Sequence, residues 1–456
     1  MTTIVLISYF ILLAFIAFRS YLNVSNFSDF FIAHKKGTFV AVTGSLIATI
    51  LGGSAVIGAI DAGRTMGWAT SWYMLCASIG LLALLPLTKR ISKIGRFTLP
   101  DLLEDLYGKQ AKKIASFVIP VAWLGIIAAQ LIAAARILQS FAGIEYTTGV
   151  LLSGFVFTAY TIAGGQISIL KTDFVQSILI IAGLMLLVIF SFWHLPVEEV
   201  KSFPLKLPFN VHFKPIDLFI LLMTYSTTFT AGPDIYSRIF CASDEKIARK
   251  AILTTALVLI PVALMIGYLG VLGAVLNGTE SPGATLVEIS QTVLPVWVIP
   301  VIVVALLSAV LSSADTTILS ASIIIADRIE KSKFGINTLK TTRLIILFVG
   351  ILSMFIAIQF TSIIGMLLLA LTVYSGAFIL PILLGLSGIH SHPKYVSAAI
   401  ISGGLTALIG KLLLGTRGES WSNGIIIGAF AINALLLLLG RKKCHLKNRR
   451  HLTPKT

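Results

Sequence analysis

Small hydroxyl side chains lie together inside one strongly apolar stretch of the chain. Residues 305–329 read ALLSAVLSSADTTILSASIIIADRI. Ala309, Ser312 and Ser313 have the spacing i, i+3 and i+4, so on a helix they share one face. Na⁺ is a hard cation that carbonyl and hydroxyl oxygens satisfy, so this face predicts part of a sodium site. The alternative is that these hydroxyls only bind the backbone of their own helix.

The same stretch contains an ionisable residue, Asp315, with Thr316 beside it. Asp315 lies three residues after Ser312 and therefore shares its face on a helix. If the stretch lies in lipid, a carboxyl group there is costly and indicates a function by default.

The composition indicates that the solvent of most of this chain is lipid. Of 456 residues, 57% are hydrophobic and only 12% are charged. A soluble chain carries about 25% charged residues, and it could not hide so much apolar surface. The three cysteines, Cys76, Cys241 and Cys444, have no paired spacing, which argues against a disulfide framework or a zinc site.

Thirteen apolar runs are long enough to be membrane-spanning helices, which need about 20 residues each. The predicted fold class is therefore an all-α polytopic membrane protein. The thirteen spans, numbered in chain order, are 3–19, 38–62, 67–88, 112–140, 146–164, 173–194, 216–240, 250–276, 295–327, 341–361, 363–387, 394–415 and 421–440.

The basic residues predict the direction of these spans. With the N-terminus outside, 28 of the 35 Lys and Arg residues fall in cytoplasmic segments. The net charge of +16 is then a consequence of topology and does not indicate a nucleic-acid partner. No cleavable signal peptide is evident, and we expect a multi-pass protein of the plasma membrane (in bacteria, the inner membrane) with a cytoplasmic C-terminus.

Two spans carry helix-breaking residues in matching places. Span 2 reads TGSLIATILGGSAVIG over 43–58, and span 7 contains Gly232, Pro233 and Asp234 in succession. Each opens a set of five spans, and an odd number per set makes the two sets inverted repeats. Paired interrupted helices of this kind indicate the binding site of a secondary transporter. The alternative is that the glycines only permit close helix packing.

Four segments resemble the sodium/solute symporter family, which includes sodium/glucose, sodium/proline, sodium/pantothenate and choline transporters. They are FTLPDLLEDLYG (97–108), YTIAGGQISILKTDFVQ (160–176), DIYSRIFCASDEKIARKA (234–251) and the stretch 305–329, whose SSAD form resembles the choline-transporter branch. The resemblance covers roughly 38–390. It implies a leucine-transporter-like core of ten helices, with one helix before and two after.

On this basis the chain divides into six parts. They are an extra N-terminal helix and cytoplasmic loop (1–37), a first inverted repeat (38–194), an extracellular loop (195–215), a second inverted repeat (216–388), two extra C-terminal helices (389–440) and a basic cytoplasmic tail (441–456).

The resemblance also implies two cation sites. Carbonyls of Ala48 and Leu51, at the interruption of span 2, would complete the sodium site of Ala309, Ser312 and Ser313. Some family members hold a second sodium ion between an aspartate matching Asp173 and hydroxyls of span 9. Here that second cation site would consist of Asp173, Ser312, Asp315 and Thr316. Two such carboxylates bind a cation or share a proton, unless Asp173 only stabilises the start of its helix.

Residues beside the two interruptions are expected to bind the solute. They are Gly52, Gly53 and Ser54 in span 2, and Tyr225, Thr228 and Phe229 in span 7. By resemblance, Ser54 and Ala55 replace an acid and an amide of sugar carriers, which argues against a sugar. A choline-like cation favours an aromatic cage, and span 2 has no aromatic residue between Val40 and Ala62.

Arg136 is the only basic residue well inside span 4. Its guanidinium suits a carboxylate bidentately, so it favours an organic anion or amino acid as the solute. Alternatively, Arg136 extends to the membrane surface or pairs with Glu145.

The predicted function is sodium:solute symport, with sodium as coupling ion and no other cofactor. The expected partners are a small-molecule solute, sodium and the lipid bilayer, without an obligate protein partner. No GxxxxGK[ST] phosphate loop is present, and we expect a carrier and not an enzyme. The rivals are a proton-coupled carrier, a transporter of choline-like quaternary amines and a non-transporting membrane sensor.

Overall fold

A computed structural model describes residues 2–23, 30–31, 33–94, 98–194, 197–277, 285–330, 338–413 and 419–441. Within these residues the chain is helical and contains no β-strand. Nine helical segments of this part are long and apolar enough to cross a membrane. The protein is therefore a multi-span membrane protein. The basic tail after Arg441 lies outside the described residues.

Nineteen α-helices are labelled in chain order. They are α1 (Thr2–Asn23), α2 (Phe39–Ile50), α3 (Gly53–Met66), α4 (Trp72–Leu84), α5 (Thr88–Ile94), α6 (Leu99–Tyr107), α7 (Lys109–Ala142), α8 (Tyr146–His194), α9 (Val197–Ser202), α10 (Pro215–Leu221), α11 (Thr227–Ala231), α12 (Pro233–Cys241), α13 (Glu245–Asn277), α14 (Thr285–Val293), α15 (Ile299–Glu330), α16 (Thr338–Gln359), α17 (Ile363–Leu386), α18 (Pro393–Leu412) and α19 (Glu419–Leu439). One π-helical turn, Leu222–Ser226, joins α10 to α11.

Each of the thirteen apolar runs coincides largely with helix, but the count of thirteen spans stays a prediction. By length and hydropathy, residues 53–84 form one candidate membrane-spanning segment, and residues 146–193 form another. The predicted loop 165–172 is helical except at Gly165, whose φ of 54° and ψ of −156° kink α8. A Cβ at this glycine would lie 2.6 Å from the Phe30 ring, so only glycine fits the kink.

Both predicted interruptions are present. The helix of span 2 ends at Ile50 and resumes at Gly53, with Gly52 extended at φ −60° and ψ 153°. The helix of span 7 ends at Ala231, and Gly232 is extended at φ −75° and ψ 140° before Pro233 restarts it. Pro233 has no N–H to contribute at this point, and its φ suits a first helical turn.

The helix α15 lies at the centre of the bundle. It packs against α2, α3, α7, α8 and α16. In the most apolar 18-residue stretch of α15, 94% of the residues are buried, whereas the corresponding value for α19 is 33%. Side chains of α15 therefore face protein all round, which is where polar groups are tolerated within a membrane.

The first helix, α1, contacts both α8 and α15. The buried Tyr9 hydroxyl accepts hydrogen bonds from Ser308 Oγ at 2.8 Å and from Gln176 Nε2 at 3.2 Å. The N-terminal helix is thus joined to two helices that carry predicted cation ligands.

We expect Gly53→Ala to lower the thermal unfolding midpoint. The added methyl group would overlap the Val310 side chain on α15 and lie 3.1 Å from the Val310 Cα. Overpacking of this kind costs about 1–3 kcal/mol. Gly428→Ala on α19 is the matched control, because a Cβ there meets nothing within 4 Å. Thermal unfolding in detergent, followed by tryptophan fluorescence, measures both variants. Equal midpoints would show that α3 and α15 do not pack this closely.

Candidate functional site

The predicted sodium ligands meet where α2 ends against α15. Ser312 Oγ donates to the carbonyl oxygens of Ala48 at 2.9 Å and Ala309 at 3.2 Å. Ser313 Oγ donates to the carbonyl of Thr49 at 2.8 Å. The structure therefore brings Ala48, Ala309, Ser312 and Ser313 together, and it adds the Thr49 carbonyl, which the sequence did not single out.

Leu51 lies buried at the interruption itself, where it ends α2 with φ −79° and ψ 39°. Its N–H donates to the Ile47 carbonyl, and no hydrogen bond joins its own carbonyl to α15 among the described residues. A Cβ on the neighbouring Gly52 would overlap Ser313 Oγ. The absence of a side chain at Gly52 is thus what lets α15 approach the broken end of α2.

An arginine near the end of span 7, which the sequence analysis did not single out, lies at the second predicted cation site. Arg238, on α12, is 0% exposed, and its Nη2 lies 3.2 Å from Asp173 Oδ2 on α8, which is also 0% exposed. The same carboxylate oxygen accepts a hydrogen bond from Ser45 Oγ at 2.5 Å. The guanidinium also donates to the hydroxyls of Ser45, Thr49, Ser237 and Thr316. Arg238 is therefore a fully buried cation with five hydrogen-bonded partners.

Asp315 contributes a second carboxylate to this cluster. Its Oδ1 accepts a long hydrogen bond of 3.4 Å from Thr316 Oγ1, whereas its buried Oδ2 has no hydrogen-bond partner in the structure. The Oδ1 atom of Asp173 is also without a partner. Two fully buried carboxyl groups thus lie near one guanidinium, which contacts Asp173 directly and is linked to Asp315 through the Thr316 hydroxyl.

A cavity of about 70 Å³ lies between the two interruptions. Gly52, Ser54, Tyr225, Thr228 and Phe229 line it, as predicted for solute-binding residues, together with Ala55 and Ser313. Gly53 does not line it, because it faces Val310 instead. The lining residues that the sequence analysis did not assign to the solute site include Trp123, Gln130, Asp234 and Thr317.

Polar side chains that line this central cavity are held in place by hydrogen bonds to one another. Gln130 on α7 accepts from the Ser54 N–H at 3.1 Å and donates to Ser54 Oγ at 2.7 Å, which fixes the start of α3. The Trp123 indole N–H lies 3.0 Å from each carboxylate oxygen of Asp234. Trp123 packs edge-on against Tyr374 at 4.8 Å between ring centroids.

Arg136 lies elsewhere. It lines a separate cavity of about 450 Å³ together with Asp61, Arg64 and Ser362. Its guanidinium lies 5.2 Å from the Tyr146 ring centroid and donates to Gln139 Oε1 at 3.3 Å. The structure therefore does not bring Arg136 together with the predicted solute-binding residues. The Glu145 carboxylate accepts from the N–H groups of Thr147 and Thr148, which holds its pKa below the usual range.

The buried pair of Arg238 and Asp173 predicts a large effect on stability. We expect Arg238→Gln or Asp173→Asn to destabilise the protein by about 3–5 kcal/mol, because each leaves an uncompensated buried charge. Lys201→Gln is the control, since its pair with Glu198 is exposed, at 63% and 86%, and such pairs contribute about 0–1 kcal/mol. Thermal unfolding in detergent measures all three. A loss no greater than that of Lys201→Gln would contradict the central role of the pair.

Comparison with known proteins agrees with this architecture. The high-affinity proline transporter PutP of Bacillus subtilis (strain 168) is 24% identical over 348 residues, which cover 70% of this chain and 72% of that protein. The high affinity choline transporter 1 of Homo sapiens is 25% identical over 323 residues, which cover 64% of this chain and 54% of that protein.

The fold is that of known transporters. A solved structure of a Na⁺-coupled sialic acid symporter, in a substrate-bound outward-open state, aligns with a TM-score of 0.80 at 17% identity, over 97% of this chain and 98% of that one. This confirms an all-helical, leucine-transporter-like fold. The model of the sodium:solute symporter family matches residues 30–388. The chain belongs to the sodium:solute symporter family, whose members are transporters and not enzymes.

Proposed function

We propose that this protein is a sodium:solute symporter that imports a small organic solute by alternating access. The observation that carries the proposal is the pair of α15 hydroxyls, Ser312 and Ser313, placed against the broken end of α2. The N-terminus would lie outside and the C-terminus in the cytoplasm. The repeats 38–194 and 216–388 would rock against each other around the cavity.

Sodium would bind by replacing hydrogen bonds that the hydroxyls now make. Ser312 and Ser313 donate their protons to carbonyls of α2, so rotation of each hydroxyl would turn its oxygen lone pairs towards an ion. The carbonyls of Ala48 and Ala309, with Leu51 as the remaining predicted ligand, would complete the shell. All these groups are uncharged, which suits a monovalent hard cation.

Coupling between ion and solute follows from shared residues. Ser313 belongs to the sodium set and also lines the central cavity, beside Gly52. An ion that joins α2 to α15 would stabilise the conformation in which both helices present this wall to the solute. Sodium shifts the equilibrium only as far as its affinities for the two conformations differ.

A proton-coupled carrier is the second candidate function. It is favoured by Asp315, whose buried Oδ2 has no hydrogen-bond partner among the described residues and whose link to the Arg238 guanidinium runs through the Thr316 hydroxyl. The second cation site stays a prediction. A second sodium ion there would have to bind beside the Arg238 guanidinium, so the arrangement favours one sodium ion per cycle.

Sodium binding can be measured without knowledge of the solute. In detergent, NaCl should raise the unfolding midpoint relative to KCl at equal ionic strength. Ser312→Ala combined with Ser313→Ala should raise the NaCl concentration needed for this stabilisation at least tenfold. The reason is that hydrogen-bond-like contacts to a charge contribute about 1.5–3 kcal/mol each. Ser402→Ala on α18 is the control, since Ser402 Oγ binds only α18 carbonyls.

Uptake into proteoliposomes separates the two candidates. A sodium gradient should drive uptake of the bound solute, and removal of sodium should abolish it. If a proton gradient drives uptake without sodium, and Asp315→Asn abolishes that uptake, the protein is a proton-coupled carrier and the assignment of sodium coupling is wrong.

A further inference from the structure

We infer that the solute carries a positively charged nitrogen, which docks against the carboxylate of Asp234 in the central cavity. The inference rests on the proposed function, because it names the class of solute for the same cavity. Among the described lining residues, Asp234 is the only charged one.

Within the described part of the chain, the carboxylate of Asp234 has a neutral hydrogen-bond donor and no basic side chain at hydrogen-bond distance. The Trp123 indole N–H lies 3.0 Å from both of its oxygens. A carboxylate has about four lone-pair positions, so these contacts leave it able to accept more. A half-buried anion with spare acceptor positions and a cavity in front of it is suited to a cation.

The nearby basic residues are committed elsewhere. Arg238 follows Asp234 by one helical turn, but its guanidinium is directed to Asp173 and to four hydroxyls. Arg136 lies in the separate cavity, over the Tyr146 ring. An anionic solute in the central cavity would therefore meet Asp234 without a compensating cation.

Aromatic rings complete the surroundings of this carboxylate. Trp123, Tyr225 and Phe229 line the cavity, and the Tyr225 and Phe229 rings meet edge-on at 5.1 Å between centroids. Aromatic faces attract ammonium groups, and aromatic side chains beside a carboxylate suit the recognition of amines. These aromatic residues come from α7 and from span 7, and not from span 2.

Gln130 and Ser54 lie on the wall formed by α3 and α7, where they bind each other. Their remaining N–H and O–H groups suit a hydroxyl or a carboxylate on the solute. A cationic amino alcohol and a zwitterionic amino acid both have such a group besides the charged nitrogen. Docking of the nitrogen at Asp234 is common to both.

Two pairs of probes test the charged nitrogen directly. Choline is compared with its uncharged isostere 3,3-dimethylbutan-1-ol, and L-proline with cyclopentanecarboxylate, which lacks the nitrogen. In NaCl, choline, proline or both should raise the unfolding midpoint in a saturable way, and the compounds without the charged nitrogen should not. Stabilisation by cyclopentanecarboxylate or the neutral alcohol at equal concentration would overturn the inference, as would no response to choline and proline.

Variants then locate the contact. Asp234→Asn should weaken binding of the responding amine at least tenfold while the stabilisation by NaCl over KCl is retained, which shows that the variant folds. Glu198→Gln, which removes an exposed carboxylate, and Arg136→Gln should both stay within threefold of the parent protein. Unchanged amine affinity in Asp234→Asn, or a tenfold loss in Arg136→Gln, would exclude the inference. If NaCl does not raise the unfolding midpoint of the parent protein relative to KCl, sodium symport itself is contradicted.

Discussion

The broken helices of spans 2 and 7 impose one constraint, that every exposed carbonyl be satisfied without water from the bilayer. Neighbouring hydroxyls meet this constraint at both breaks. Ser312 and Ser313 donate to Ala48 and Thr49 at the end of α2, and Tyr374 donates to Ala231 at 2.5 Å at the end of α11. The groups that stabilise the breaks in this conformation are therefore the groups that ligands would compete for.

A second constraint is charge. The interior between α2, α8, α12 and α15 contains the carboxyl groups of Asp173, Asp234 and Asp315 and the guanidinium of Arg238. Buried ions are tolerated only when they are paired and hydrogen-bonded. Because the carboxyl groups outnumber the guanidinium, this interior favours the binding of a cation, whether sodium, a proton or an amine. The guanidinium reduces the excess negative charge that the fold has to bury.

The sequence was sufficient for what depends on local pattern. The i, i+3, i+4 spacing of Ala309, Ser312 and Ser313 placed the hydroxyl face correctly, and Gly52 and Pro233 marked the two breaks. Long-range pairing was not readable. Arg238 lies near the end of an apolar run and was not singled out, although its position one turn after Asp234 is a signal that it remains within the helix.

The position of Arg136 shows a related limit of the sequence analysis. Its isolation in an apolar run predicted a role in solute binding, but helix position alone does not say which cavity a side chain enters, and Arg136 lines a separate one. It lies six positions after Gln130, which corresponds to about 9 Å along α7 at 1.5 Å per residue. Trp123 and Asp234 were passed over because an indole and an acid at a helix start each have an ordinary structural explanation.

The hydrogen bonds of Tyr9 give the N-terminal helix a significance that its position outside the ten-helix core conceals. Ser308 precedes Ser312 by one helical turn, and Gln176 follows Asp173 by nearly one turn. One phenol hydroxyl thus ties a peripheral, lipid-facing helix to both helices that carry the predicted cation ligands. A change in bilayer thickness that moved this helix would act on both sets of predicted ligands at once, through a tyrosine that belongs to neither set.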